Sequence, residues 1–81
     1  MATLKCDRAP AELLRERFSE AMRAARRAAG LTQVDLSKAT VINQATLSLF
    51  ERGIRVPDLD QLAVLADALD VRPSELLNDL D

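Results

Sequence analysis

The chain has no histidine, tyrosine or tryptophan, only two phenylalanines (Phe18 and Phe50), two glycines, three prolines and a single cysteine, Cys6. Without histidine, the commonest general base and metal ligand near neutral pH is missing. One cysteine makes neither an intrachain disulfide nor a thiolate metal cluster. No nucleophile stands beside a base. Asp67 and Asp70 lie at ordinary spacing on a solvated helix face, and Cys6 has no histidine to activate it. An enzyme is therefore not expected, and neither is a metal or another cofactor. No apolar run approaches membrane-spanning length, and the opening MATLKCDRAP lacks the apolar centre of a signal peptide. The expectation is a cytoplasmic protein with no membrane partner.

What is present is alanine, leucine and charge. Little glycine, proline or aromatic content, with apolar residues that are mostly Ala and Leu, suits an all-α bundle rather than a sheet, and 81 residues suffice for one domain. The net charge of −2 is unevenly spread. Residues 1–30 carry seven basic and four acidic side chains, residues 31–57 three and two, and residues 58–81 one and seven. Single charges of this kind usually mark solvated helix faces, but the segregation implies that a polyanion would be attracted by the first two-thirds and repelled by the last.

Caps and apolar periods divide the chain into five expected helices after an N-terminal arm at 1–8, leaving 9–81 as the folded domain. The first runs from Ala9 or Pro10 to Ala29, with Leu14, Phe18, Met22, Ala25 and Ala29 as its apolar stripe and Gly30 as a left-handed stop. Thr32 caps a two-turn second helix, QVDLSKA, whose clearest core residue is Leu36. After the connection TVI, Asn43 caps the third helix and Gly53 closes it. IRVP forms a loop, and Asp58 with Gln61 makes a capping box for the fourth helix, which buries Leu59, Leu62, Leu65, Ala66 and Leu69. Pro73 opens a short fifth helix bearing Leu76, Leu77 and Leu80.

Two short helices joined by a tight turn, neither long enough to stand alone, are helix-turn-helix geometry. The second helix of such a pair fits the major groove of duplex DNA and meets base edges with its N-terminal residues. NQATLSLFERG at 43–53 has the matching surface. Opposite Leu47 and Phe50 lie Gln44, Ala45 and Ser48, which are small or amide-bearing and carry no charge. A merely solvated face would ordinarily carry Lys and Glu. Gln44 can bond the edge of adenine, Ala45 and the Thr46 methyl can pack on a thymine methyl, and Ser48 can donate or accept. Asn43 and the exposed amides beside it suit a phosphate oxygen.

Residues 18–77, about three-quarters of the chain, resemble the Cro/repressor (Xre-type) helix-turn-helix family. The resemblance rests on Arg26, GLTQ at 30–33, Leu36, Leu47, Phe50, ERG at 51–53, Pro57 and the helix DQLAVLADALDV followed by SELL. It implies a compact five-helix bundle of the lambda-repressor-like DNA-binding type, with helices 2 and 3 as the helix-turn-helix. It further implies a homodimer on a partly palindromic double-stranded operator, nucleoid-associated when bound. Carried over by position, Gln44, Ala45 and Ser48, with Thr46, fall where bases are read. Gln33, Asn43, Arg52 and Arg55, with Lys38, fall where phosphates are touched, and Gln33 matches a glutamine that can also buttress the recognition helix. Glu51 and Arg26 match positions that pair inside the domain.

Three positions depart from the family pattern. Val41 replaces the glycine usual in the turn, and a β-branched residue at positive φ costs roughly 1–2 kcal/mol. Either the turn takes another route, with Asn43 or Thr40 absorbing the strain, or the domain is less stable. Ser37 replaces a close-packed alanine, a change a hydroxyl tolerates by bonding back to its own helix. Leu49 stands at an exposed position that is often basic, beside Ile54 and Val56. With only Lys38, Arg52 and Arg55 near the third helix, and Arg23, Arg27, Lys5 and Arg8 further off, the expected salt dependence is shallow, each neutralised phosphate adding about 0.9 to the log–log slope. A dimer contact is expected at Val71, Leu77 and Leu80. A repressor is the first functional expectation. An antitoxin or similar interaction module, with a toxin or other protein on an apolar patch at Leu4, Leu77 or Leu80, is the alternative.

Overall fold

The computed structural model describes residues 10–80, with the side chains of 10–77. The expected arm at 1–8, with Leu4, Lys5, Cys6 and Arg8, and the side chain of Leu80 lie outside the described residues. The elements, in chain order, are α1 (Pro10–Ala28), α2 (Gln33–Thr40), α3 (Gln44–Glu51), α4 (Leu59–Leu69) and a 3₁₀ helix, η1 (Pro73–Leu80). Among the described residues the all-α class holds, but the five-helix expectation is corrected to four α-helices and one 3₁₀ helix. A segment of eight residues is too short to hold an α-helix by itself, so tertiary packing selects its form. Here the packing is of Leu76, which is fully buried, while the amide of Glu75 bonds the Arg72 carbonyl at 2.9 Å.

The ends of α1 and α3 are fixed by glycine at φ 74°, Gly30 and Gly53. Past α1, Leu31 N–H bonds the Arg26 carbonyl at 3.1 Å, and past α3, Ile54 N–H bonds the Leu49 carbonyl at 3.0 Å. Both are the six-to-one bonds of a Schellman turn. α4 ends in the same way on Asp70, a non-glycine residue at φ 57°, with Val71 N–H on the Ala66 carbonyl at 3.0 Å. The capping box of α4 is formed, Gln61 N–H to Asp58 Oδ1 at 2.8 Å and Asp58 N–H to Gln61 Oε1 at 3.1 Å.

One core joins all five elements. It holds Phe18 and Met22 from α1, Leu36 from α2, Leu47 and Phe50 from α3, Leu62, Leu65, Ala66 and Leu69 from α4, and Leu76 from η1. The two phenylalanines meet edge to face, centroids 6.2 Å apart at 83°. α1 packs on α3 and η1, and α2 packs on α3 and α4, so the two-turn helices are braced from both sides. Two apolar assignments fail. Leu59 is 83 % exposed. It is the first residue of α4, ahead of the turn where that helix meets its neighbours, and periodicity alone does not reveal this. Ala29 lies just past the end of α1 and is exposed as well.

Candidate nucleic-acid interface

The interface is built from α2, the turn and α3. α2 starts on a full capping box: Asp35 N–H bonds Thr32 Oγ1 at 3.0 Å and Thr32 N–H bonds Asp35 Oδ2 at 2.9 Å. The backbone bond from Thr32, reinforced by its hydroxyl, holds the Asp35 carboxyl below the usual aspartate range. A carboxyl shifted this way stabilises the cap above its ordinary pKa, and the contribution is lost as pH falls through the lowered value. Sequence reasoning finds Thr32 as the cap and misses Asp35, although the T-x-x-D spacing is there to be read.

The turn takes no alternative route. Val41 itself sits in the left-handed region at φ 60°, ψ 20°, and is 93 % exposed. Ser37 does not make the expected bond back to its own helix; its Oγ donates across the turn to the Ile42 carbonyl at 2.6 Å. Ile42 is buried, and the next residue, Asn43, caps α3 by accepting the Thr46 N–H on Oδ1 at 2.8 Å.

On α3, Leu47 and Phe50 enter the core, while Gln44 and Ala45 are exposed and Thr46 and Ser48 half-buried. The uncharged start of the helix therefore faces solvent, with Asn43 exposed at its tip. Lys38, Arg52 and Arg55 are exposed as well. The Arg52 Nε reaches the Ser48 carbonyl at 3.4 Å, which lays the guanidinium back along α3. Leu49, expected to be exposed, is half-buried. Gln33 is half-buried and donates from Nε2 to Glu51 Oε1 at 3.3 Å, so it braces α3 from the start of α2. Val71 and Leu77 are partly buried and packed on the core.

The far end of α3 is held by a charge network. Glu51, 5 % exposed, receives Arg26 Nε at 2.6 Å on Oε2 and Arg26 Nη2 at 3.0 Å on Oε1. Arg26 also donates from Nη1 to the Leu31 carbonyl at 2.9 Å, and Arg23 donates to the Glu51 backbone carbonyl. The hydrogen bonds to Glu51 raise the Arg26 pKa above the ordinary arginine value, against the opposing effect of burial. Arg26 and Glu51 match internal positions of the family, and they do pair. Sequence reasoning misses the part played by Arg23, an i−3 neighbour of Arg26 on the same side of α1. Among the described residues no group of three or more His, Cys, Asp or Glu is placed to hold a metal, and no helix is long and apolar enough to cross a membrane.

A helix-turn-helix family model matches residues 22–76, which takes in α2, the turn, α3 and α4. The clp gene regulator ClgR from Corynebacterium glutamicum superposes with a TM-score of 0.77 at 30 % identity, over 83 % of this chain and 71 % of that one. The restriction-modification controller protein C.AhdI from Aeromonas hydrophila gives 0.73 at 34 % identity, over 76 % and 94 %. A hypothetical transcription factor, NHTF, from Neisseria gives 0.76 at 26 % identity, over 95 % and 88 %. No curated protein matches the sequence. With the family model spanning more than half of the residues and the two-helix unit in place beneath it, the chain belongs to the Xre-type helix-turn-helix family.

Proposed function

We propose that the chain is a sequence-specific, double-stranded-DNA-binding transcriptional regulator. It acts as a homodimeric repressor, with α3 of each copy in the major groove of a partly palindromic operator. The observation that carries this reading is the uncharged, solvent-facing start of α3, Gln44 and Ala45 with Ser48 at its edge, on a helix braced by the buried Leu47, Phe50 and Glu51. A rigid helix with small neutral side chains approaches base edges closely, and exposed cations beside it, Lys38, Arg52 and Arg55, suit the flanking phosphates. The similar proteins are a gene regulator, a restriction-modification controller protein and a hypothetical transcription factor, which agrees with this role.

One recognition helix reads too few base pairs to be selective, so two copies would place theirs about 34 Å apart, one DNA turn. The contact is proposed at Leu77, with Val71 and Leu80. Leu77 lines an apolar groove with Leu14, Val56, Pro57, Leu59 and Leu62, and the exposed Leu59 gives a second copy a surface to cover. The acidic residues of the last third would then lie away from the phosphates.

Selection of bound duplexes from a random library is the test. A palindromic consensus with half-sites one turn apart is the expected result. A chain that remains monomeric in solution and returns no consensus supports the interaction-module reading instead, with a partner protein on the Leu59 groove. With the consensus in hand, Gln44→Ala costs about 1–3 kcal/mol on the operator and little on random duplex. Equal loss on both would remove Gln44 from base reading. Arg52→Ala weakens both duplexes alike and lowers the log–log salt slope by about 1; a loss confined to the operator would contradict the phosphate role.

A further inference from the structure

The turn between α2 and α3 holds an unfavourable residue without help from that residue's own side chain. Val41 is left-handed at φ 60° and points into solvent, so nothing it touches offsets its backbone conformation. The restraint comes from its neighbours. The Val41 N–H bonds the Ser37 carbonyl at 2.9 Å, as a helix end does. The buried Thr40 donates from Oγ1 to the Leu36 carbonyl at 2.7 Å and receives the Ile42 N–H on the same oxygen at 3.3 Å. Ser37 Oγ donates to the Ile42 carbonyl at 2.6 Å. Both polar groups of Ile42 are therefore tied to α2 by hydroxyls, on the residue that follows Val41 and precedes the cap of α3.

Two side chains one turn apart on α2 thus set where α3 begins. With Ile42 fixed at its N–H, its carbonyl and its buried side chain, the direction in which Asn43 and Gln44 leave is fixed too. We infer that Ser37 and Thr40 are positioning residues for base reading: they hold Val41 in its left-handed turn and so set the angle of the recognition helix, without touching DNA. This inference rests on the DNA-reading role proposed above and adds to it the residues that aim α3.

The test uses the full chain carrying Ser37→Ala, Thr40→Val or both, each with Val41 and with Val41→Gly, and Ser37→Thr as the variant that keeps the hydroxyl. Binding is measured where every variant is fully folded, on the selected operator and on random duplex. The double hydroxyl variant is expected to lower the operator-to-random affinity ratio about tenfold with random-duplex affinity unchanged. Ser37→Thr keeps the ratio, and Val41→Gly restores most of it, because glycine occupies the left-handed region without restraint. An unchanged ratio, or equal loss on both duplexes, overturns the inference. Urea denaturation supplies a readout that needs no DNA: the midpoint loss on removing the hydroxyls is expected to be about half as large in the Val41→Gly background as with Val41 in place. If the unaltered chain selects no operator, the DNA-reading proposal falls. The hold on Val41 is then decided by denaturation alone, where equal losses in the two backgrounds would refute it.

Discussion

Glu51→Ala is expected to lower the unfolding free energy by about 3–5 kcal/mol, because it leaves the Arg26 guanidinium buried without its counter-charge. Arg26 is only 15 % exposed, and Glu51 supplies two of its three acceptors. Against roughly 4–12 kcal/mol for a domain of this size, such a loss leaves a chain near its unfolding threshold. Urea denaturation of the purified variant measures it directly. The companion double variant, Arg26→Met with Glu51→Leu, separates two explanations of the number. Replacing a buried ion pair by apolar groups of similar volume is often close to neutral, so the double variant should be distinctly more stable than Glu51→Ala. If instead the double variant is as unstable as the single one, the bond from Gln33 to the Glu51 carboxylate, not the pairing with Arg26, holds this end of α3, since the Arg23 bond to the residue 51 backbone carbonyl survives in both variants. A loss below about 1 kcal/mol for Glu51→Ala would show that the network is solvated and contributes as little as a surface pair.

Much of this molecule is legible as spacing. Gly30 and Gly53 mark helix ends, Thr32, Asn43 and Asp58 mark helix starts, and Phe18, Met22, Leu36, Leu47 and Phe50 form the core that their periods predict. These are local properties, fixed by backbone sterics and by one apolar face per helix. The failures are places where the deciding partner lies elsewhere in the chain or the rule has two outcomes. Leu59 has the right period and the wrong position, ahead of the first packed turn of α4. The last segment opens at Pro73 as expected, but an eight-residue stretch takes α or 3₁₀ form according to how Leu76 reaches the core. Ser37 is expected to bond within α2, yet the left-handed Val41 swings the Ile42 carbonyl to within 2.6 Å of it. Of the candidate interface, the exposure of Gln44 and Ala45 follows from Leu47 and Phe50 lying on the other side of a short helix. The Arg26–Glu51 pair, 25 positions apart in the chain, has no local signal and comes from family resemblance alone.

Phe50→Ala tests that coupling between what α3 buries and what it presents. Phe50 is fully buried and meets Phe18 edge to face, so truncation removes a large core side chain, leaves a cavity and ends the ring contact. The expected loss is about 3–5 kcal/mol, with the ring pair adding about 0.5–1.5 kcal/mol of it beyond the buried area. Phe50→Leu, which refills most of the space, should cost less. Because Phe50 touches no base in the proposed complex, the variant should be weakened mainly through the population of folded protein. Operator DNA that binds only the folded state then restores stability by mass action, by about 2.7 kcal/mol at a hundredfold excess over the dissociation constant. Thermal melting of Phe50→Ala should therefore shift upward on adding operator and less on adding the same concentration of random duplex. The sequence preference of the rescued protein should match that of the unaltered chain. A changed preference would mean that the cavity lets α3 tilt, and that Phe50 sets the angle of the helix as well as its stability.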